Sequence, residues 1–442
     1  MENEKMKYER NKTRKKRVFK SKNILRTVSF LHFFILSLLN CAAQSFTDYF
    51  EDRTLRIDYT FSGDTARQDI YVDELSAIPH WYGKRQRLAE VPLKGNGQII
   101  VRDVRSDSII YRHPFSTLFQ EWLATDEAKQ TRKSFENVFL VPYPKRPVAI
   151  TVELYDYHGR INATMTHAVD PRDILIRHIG EHDVTPYVTL HSSSLLPQQG
   201  GAGGRSPIHI AFVAEGYQSS EFLTYLEDCR KAVRALFSHE PFKSMQDRFN
   251  IIAVLSSSAE SGVSIPRQGI WKRTALNSQF DTFYTERYLT TMHLKKLHDV
   301  LAGTPYEHII ILTNTTTYGG GGIYNSYNLA SAHGPQYEPV VVHEFGHSFG
   351  GLGDEYPYGD SDPMYFSDTE PWEPNLTTQH DFHGKWENLI REGKAGLIEG
   401  GGYLSHGVWR GQDDCRMRTN EYPVFCPVCQ QALTRLIQFY TD

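Results

Sequence analysis

The sequence predicts a mixed α/β domain preceded by a small antiparallel β-sandwich, and three observations carry that expectation. Between about Phe46 and His167, short stretches alternate apolar and polar residues with polar turns between them, the period of half-buried strands. After Gly200-Gly-Ala-Gly-Gly204 the pattern changes to buried strands alternating with amphipathic helices. The chain has 442 residues, 40% of them hydrophobic and 12% aromatic, more than one core normally holds, so two domains are expected.

The first 43 residues read as a targeting leader. Residues 12–22 are strongly basic, and residues 28–39 form an apolar run too short to span a membrane comfortably. Cys41-Ala42-Ala43 suits a signal-peptidase site that leaves Gln44 first. Leu38-Leu39-Asn40-Cys41 instead resembles a lipoprotein box with Cys41 lipidated, although Asn40 is unusual there. Either route exports the mature chain to a bacterial periplasm, an outer surface or the medium. The leader carries 11 Lys/Arg against 3 Asp/Glu, so its removal takes the net charge from −4 to −12. An acidic mature protein argues against nucleic acid or anionic lipid as partners, leaving a lipid at Cys41 as the sole membrane link.

Residues 44–167 supply the sandwich. Its strands include Thr54-Leu-Arg-Ile-Asp-Tyr-Thr-Phe, Gln98-Ile-Ile-Val-Arg-Asp-Val and Val148-Ala-Ile-Thr-Val-Glu-Leu-Tyr. No chemical motif falls within them, so a packing or substrate-positioning role is expected. Residues 168–204 read as a linker with some strand, ending in the glycine-rich link.

Residues 205–442 supply the second domain. Ile208-His-Ile-Ala-Phe-Val-Ala, Phe249-Asn-Ile-Ile-Ala-Val-Leu and His308-Ile-Ile-Ile-Leu are buried strands, and helices are expected over 219–237 and 294–301. A further helix starts near Glu338-Pro339 and runs through Val340, Val341, Val342, Phe345 and Phe349. It is apolar nearly all round and therefore buried. Gly350, Gly351 and Gly353 end it.

That helix carries His343-Glu344-Phe-Gly-His347. Two imidazoles four residues apart share one helix face and can hold one metal ion. Glu344 is placed to take a proton from a water on that ion. The sharp turn after the helix brings Asp354 and Glu355 forward as candidate third ligands. Two imidazoles and a carboxylate suit one zinc per chain, with an open position for water.

Several dispersed motifs in one order give a resemblance that covers roughly 205–440. They are Ala214-Glu-Gly-Tyr217, Pro241-Phe, Glu260-Ser-Gly262, Asp281-Thr-Phe283, Tyr318-Gly-Gly-Gly-Gly322, the histidine motif with Gly351-Leu-Gly-Asp-Glu-Tyr356, Cys415-Arg-Met417 and Phe425-Cys-Pro-Val-Cys429. Together they resemble the immunoglobulin-A peptidase family of zinc metallopeptidases, with a metzincin-like catalytic domain and an N-terminal companion β-domain. The resemblance implies that His343, His347 and Asp354 bind zinc, that Glu344 is the general base, and that Met417 floors the site. The usual metzincin spacing would put the third ligand at Gly353, so it moves one residue on to Asp354, with Glu355 as the alternative.

The implied activity is hydrolysis of peptide bonds in protein or peptide substrates. Two rivals stand beside it: a silent surface-binding protein with a structural metal, against which an intact Glu344 argues, and a cell-wall peptide amidase or aminopeptidase. Gly320, Gly321 and Gly322 are read either as a cleft rim where a substrate strand adds or as a flexible loop. Tyr356 is read as an oxyanion donor or a core tyrosine. Asp360, Asp362 and Asp368 offer oxygens to calcium, with a solvated acidic loop as the plainer reading. His380, His383 and His406 are not expected to be ligands. A disulfide from Cys415 to Cys426 or Cys429 is expected in an exported protein, a thioredoxin-like use of Cys426 and Cys429 less so. No fourth ligand for a second zinc is legible. Nothing in the sequence bears on oligomeric state or on whether immunoglobulin A is cut.

Overall fold

Strand period dictates the N-terminal half. The computed structural model describes residues 45–195, 206–359 and 364–442. The expected leader with Cys41, the glycine-rich link 200–204, and Asp360 and Asp362 lie outside the described residues. Eight strands form two four-stranded sheets: β1 (Phe50–Gly63), β2 (Gln68–Pro79), β3 (Gly97–Asp103), β4 (Ile109–Phe115), β5 (Lys133–Pro144), β6 (Val148–Tyr155), β7 (Ile161–Val169) and β8 (Arg177–His178). The sheet orders are β5-β1-β2-β8 and β4-β3-β6-β7. Pairing is antiparallel except between β2 and β8. Every second residue of β6 points inward, and Val148, Ile150, Val152 and Leu154 are buried.

The second half is built on a six-stranded sheet. Its strands are β9 (Tyr187–His191), β10 (Ile208–Glu215), β11 (Phe249–Val254), β12 (His308–Thr313), β13 (Gly320–Ile323) and β14 (Tyr327–Ser331), in the order β13-β14-β12-β10-β11-β9. The four central strands are parallel, and β9 and β13 are antiparallel edges. Four helices accompany it: α1 (Phe222–Leu236), α2 (Leu294–Leu301), α3 (Tyr337–Ser348) and α4 (Pro427–Thr441). Residues 219–221 form a 3-10 turn that leads into α1. A small sheet, β15 (Pro357–Gly359), β16 (Ile398–Gly401) and β17 (Tyr403–Arg410), lies beyond α3 in the chain.

Both faces of the central sheet are buried, which is why its strands read as continuous apolar runs. On β10, Ile208, Ile210, Phe212 and Ala214 meet the core shared with α1, α3 and α4. Ala211 and Val213 join a second core, continuous with the sandwich interior around Leu55, Phe61 and Phe115. Residues 45–442 accordingly form one compact unit. The segment between the halves is shared out, with β8 adding to β2 and β9 to β11. Arg56 ties them further: its guanidinium pairs with Asp58 at 2.7 Å and with Asp299 of α2 at 2.6 Å.

Two of the dispersed motifs meet here. The Glu215 carboxylate is fully buried and accepts from Thr274 Oγ1, Leu276 N and Ser278 N at 2.5–2.8 Å. Gly216 takes φ +74°, and a Cβ there would lie 2.3 Å from Gly262 O. Ala214-Glu-Gly-Tyr217 and Glu260-Ser-Gly262 thus meet at a backbone-to-backbone approach that pins the 260–278 loop to the end of β10.

Candidate metal centre

Helix α3 positions the first three residues of the site. Pro339 sits in its first turn, and Val340, Val341, Val342 and Phe345 are buried against the sheet. Gly351 ends the helical path at φ +58°, where its N–H donates to His347 O at 2.9 Å. The chain then doubles back, and Asp354 comes to face both histidines.

Three atoms converge there. His343 Nε2 and His347 Nε2 are 3.0 Å apart, and Asp354 Oδ1 lies 3.1 and 3.3 Å from them. Each imidazole is held from behind, with Nδ1 of His343 donating to Arg416 O at 2.9 Å and Nδ1 of His347 to Leu352 O at 2.6 Å. A carbonyl only accepts, so each Nδ1 carries the proton and each Nε2 presents a bare lone pair. Asp354 Oδ1 is buried without a hydrogen-bond partner. Three electron pairs crowded together with no proton between them repel unless a cation draws them in. The residues therefore fit a divalent ion, and two imidazoles with one carboxylate fit zinc.

The second carboxylate oxygen, Asp354 Oδ2, accepts from Tyr403 OH on β17. Asn375 grips the same turn. Its amide oxygen accepts from Gly353 N, and its Nδ2 donates to Gly353 O and to Glu355 Oε1, at 2.8–2.9 Å. Neither residue is legible from the motif, because each arrives from a distant segment with no characteristic spacing. Tyr403→Phe is expected to weaken metal binding about 10–100-fold, the usual effect of losing such an outer partner, while the fold persists. Chelator competition on the purified variant checks this, and unchanged affinity would remove Tyr403 from the site.

Glu344 points toward β13. A Cβ on Gly320 would lie 2.8 Å from Glu344 Oε1, and one on Gly322 would lie 2.5 Å from Glu344 O and 2.9 Å from His347 Cβ. The glycine run is therefore strand and not loop, and glycine is required because α3 presses directly against it. Its outer edge is already engaged at Gly320, whose N–H meets Arg287 O at 3.3 Å and whose O meets Leu289 N at 3.5 Å. Gly322→Ala should cost about 1–3 kcal/mol, because the obstructing atom is backbone and cannot swing away. A thermal melt at or above the parent value would contradict that packing.

Burial raises the Glu344 carboxyl, with Asp354 adding to the shift and the imidazoles opposing it. A second acid comes from the N-terminal half: Glu121 is partly buried beside Tyr288, whose OH donates to it, and loss of solvent pushes its carboxyl up to about 7. Glu344 and Asp354 add to that rise and His347 opposes it. The N-terminal half, expected to hold no chemistry, thus brings a carboxyl within electrostatic reach of the centre.

Met417 is fully buried beneath α3, where a Cβ on Gly346 would meet its sulfur at 2.6 Å. Tyr356 lies beside His343, the rings nearly parallel with centroids 6.5 Å apart, and packs on Tyr358 and Tyr403. Glu355 is fully buried and turns away toward the cysteines. The expected disulfide is absent. Cys415, Cys426 and Cys429 are free, and Sγ of Cys415 and Cys429 are 3.7 Å apart against about 2.05 Å for a bond. Asp368 pairs with His158 at 3.7 Å and belongs to neither of the two groups that could hold a metal among the described residues. His383 and His406 pair with Glu387 and Glu399 at the surface, away from the centre.

Fold and site together define a mixed α/β protein in which two histidines and one carboxylate could hold a metal ion, with the Glu344 carboxylate beside them. The family model described as IgA Peptidase M64 matches residues 201–396, and the one described as Peptidase M64 N-terminus matches residues 45–166. The chain belongs to the IgA peptidase M64 family, with its N-terminal companion domain, and family membership implies peptidase activity on protein or peptide substrates. No curated protein matches the chain. Met417 and the three clustered cysteines lie beyond the stretch that the first model matches.

Proposed function

We propose that the chain is an exported, zinc-dependent endopeptidase. The observation that carries this reading is the convergence of His343 Nε2, His347 Nε2 and Asp354 Oδ1, with the Glu344 carboxylate alongside. A zinc ion held there supplies Lewis-acid polarisation of a carbonyl and acidifies water. Glu344 takes the proton of the attacking water on a carboxylate oxygen, its raised affinity for protons suiting it to hold one, and returns it to the leaving amine nitrogen. Arg416 O and Leu352 O keep both imidazoles in the metal-binding tautomer. Asp354, fixed by Tyr403, would supply the negative charge that balances the ion. The basic and then apolar leader supports export.

The test is metal content together with cleavage of a mixed peptide library by the purified chain. One zinc bound through nitrogen and oxygen, with cleavage, supports the reading. A folded protein that holds no such zinc sinks it.

A further inference from the structure

A second group of metal-ligating side chains lies outside the centre just described. Glu355, Cys415, Cys426 and Cys429 each bring one ligand atom within 4.8 Å of the others. The Sγ atoms of Cys415 and Cys429 are 3.7 Å apart. A tetrahedron with zinc–sulfur arms of about 2.3 Å has edges near 3.8 Å, close to that spacing. Glu355 Oε1 lies 3.1 Å from Cys429 Sγ and 4.0 Å from Cys426 Sγ. Its other oxygen, Oε2, is buried with no hydrogen-bond partner. Each of the four residues is at most 1% exposed. An orphaned carboxylate oxygen among three dry thiols is a costly arrangement that a cation would relieve.

We propose that Glu355, Cys415, Cys426 and Cys429 form a second, closed zinc site. Three thiolates and one carboxylate favour a thiophilic divalent ion, and four protein ligands leave no position for water, so the site is structural. The surroundings stabilise the excess negative charge. Cys426 caps the N-terminus of α4, and Cys429 lies in its first turn, at the positive end of a 15-residue helix. Cys426 N donates to Cys415 Sγ at 3.1 Å, and Asn375 Nδ2 donates to Glu355 Oε1 at 2.9 Å.

The placement gives the second ion a purpose. Glu355 directly follows Asp354. Cys415 directly precedes Arg416, whose carbonyl orients His343. Glu355 N donates to Met417 O at 2.9 Å. An ion bound by Glu355 and Cys415 ties together the two segments that set the third ligand, the outer support of His343 and the methionine floor.

Elemental analysis of the purified chain, supplied with zinc, is combined with zinc-edge X-ray absorption. Two zinc per chain are expected, with sulfur scattering at about 2.3 Å. Cys429→Ser should bring the count to one and remove most of the sulfur signal. Asp354→Ala should also bring it to one but keep the sulfur signal, so failure of this site and failure of the peptidase centre are told apart. The parent spectrum needs no variant to fold. Zinc bound by nitrogen and oxygen alone, or a disulfide among these cysteines in the intact mass, would overturn the proposal.

Discussion

Glu344→Gln is expected to lower kcat on any cleaved peptide by about 10²–10⁴-fold, or roughly 3–5 kcal/mol of barrier, while metal content stays at the parent level. The substitution keeps shape and removes only the capacity to take a proton. Glu344 is not one of the three converging ligands, so the ion has no reason to leave. The side chain also packs against Gly320, where the near-isosteric amide keeps the contact with β13. Single-turnover cleavage and metal analysis on one preparation decide it. A variant that keeps metal and cleaves at the parent rate would remove Glu344 from the chemistry. Loss of both would show it to be a ligand or a packing residue instead.

Asp354→Ala is expected to weaken zinc at the histidine centre by more than the 10–100-fold that an outer partner is worth, and cleavage should fall with it. It deletes one of the three converging side chains and leaves Tyr403 OH without its acceptor. The two imidazoles would stay oriented, because their partners are backbone carbonyls that the substitution does not touch. Added zinc should therefore restore some cleavage at concentrations far above those the parent needs. Parent-like affinity in this variant would assign the third ligand elsewhere. Glu355 is a poor substitute, since it faces the cysteines on the other side of the same turn.

The neighbouring pair Asp354–Glu355 shows where reading the sequence stops. Both are acidic, both follow the helix stop, and spacing alone leaves either as ligand. What separates them is the direction of the chain after Gly353, which Asn375 holds through both its amide atoms. That residue comes from a segment with no periodic signal. The same turn aims one carboxylate at two histidines and the other at three cysteines. It supplies the fourth ligand of the cysteine group, a role that no spacing pattern announces.

The glycine run shows the reverse case. Its composition suggested either a substrate rim or a loose loop, yet Gly320 and Gly322 are glycine because α3 lies against β13 at backbone distance. Composition reports that something comes close and does not say what. Glu121 is harder still, since a single acid in a β-sandwich carries no motif. Only the continuous core between the two halves brings it to Tyr288.

By itself the sequence determined the elements with a local cause. These are the period-two strands of the sandwich, the buried strands of the second half, the apolar helix with its histidines one turn apart, and the glycine stop that follows. Each depends on residues within a few positions of one another, where periodicity and backbone preference act directly. The tertiary structure alone decided the rest: the choice of Asp354 over Glu355 facing the histidines, the carbonyls that set each imidazole tautomer, Tyr403 and Asn375 behind the turn, and free thiols where a disulfide was expected. All of these are contacts between segments far apart in the chain. Such contacts are set by how the sheets, helices and loops pack together, and one-dimensional spacing does not encode them.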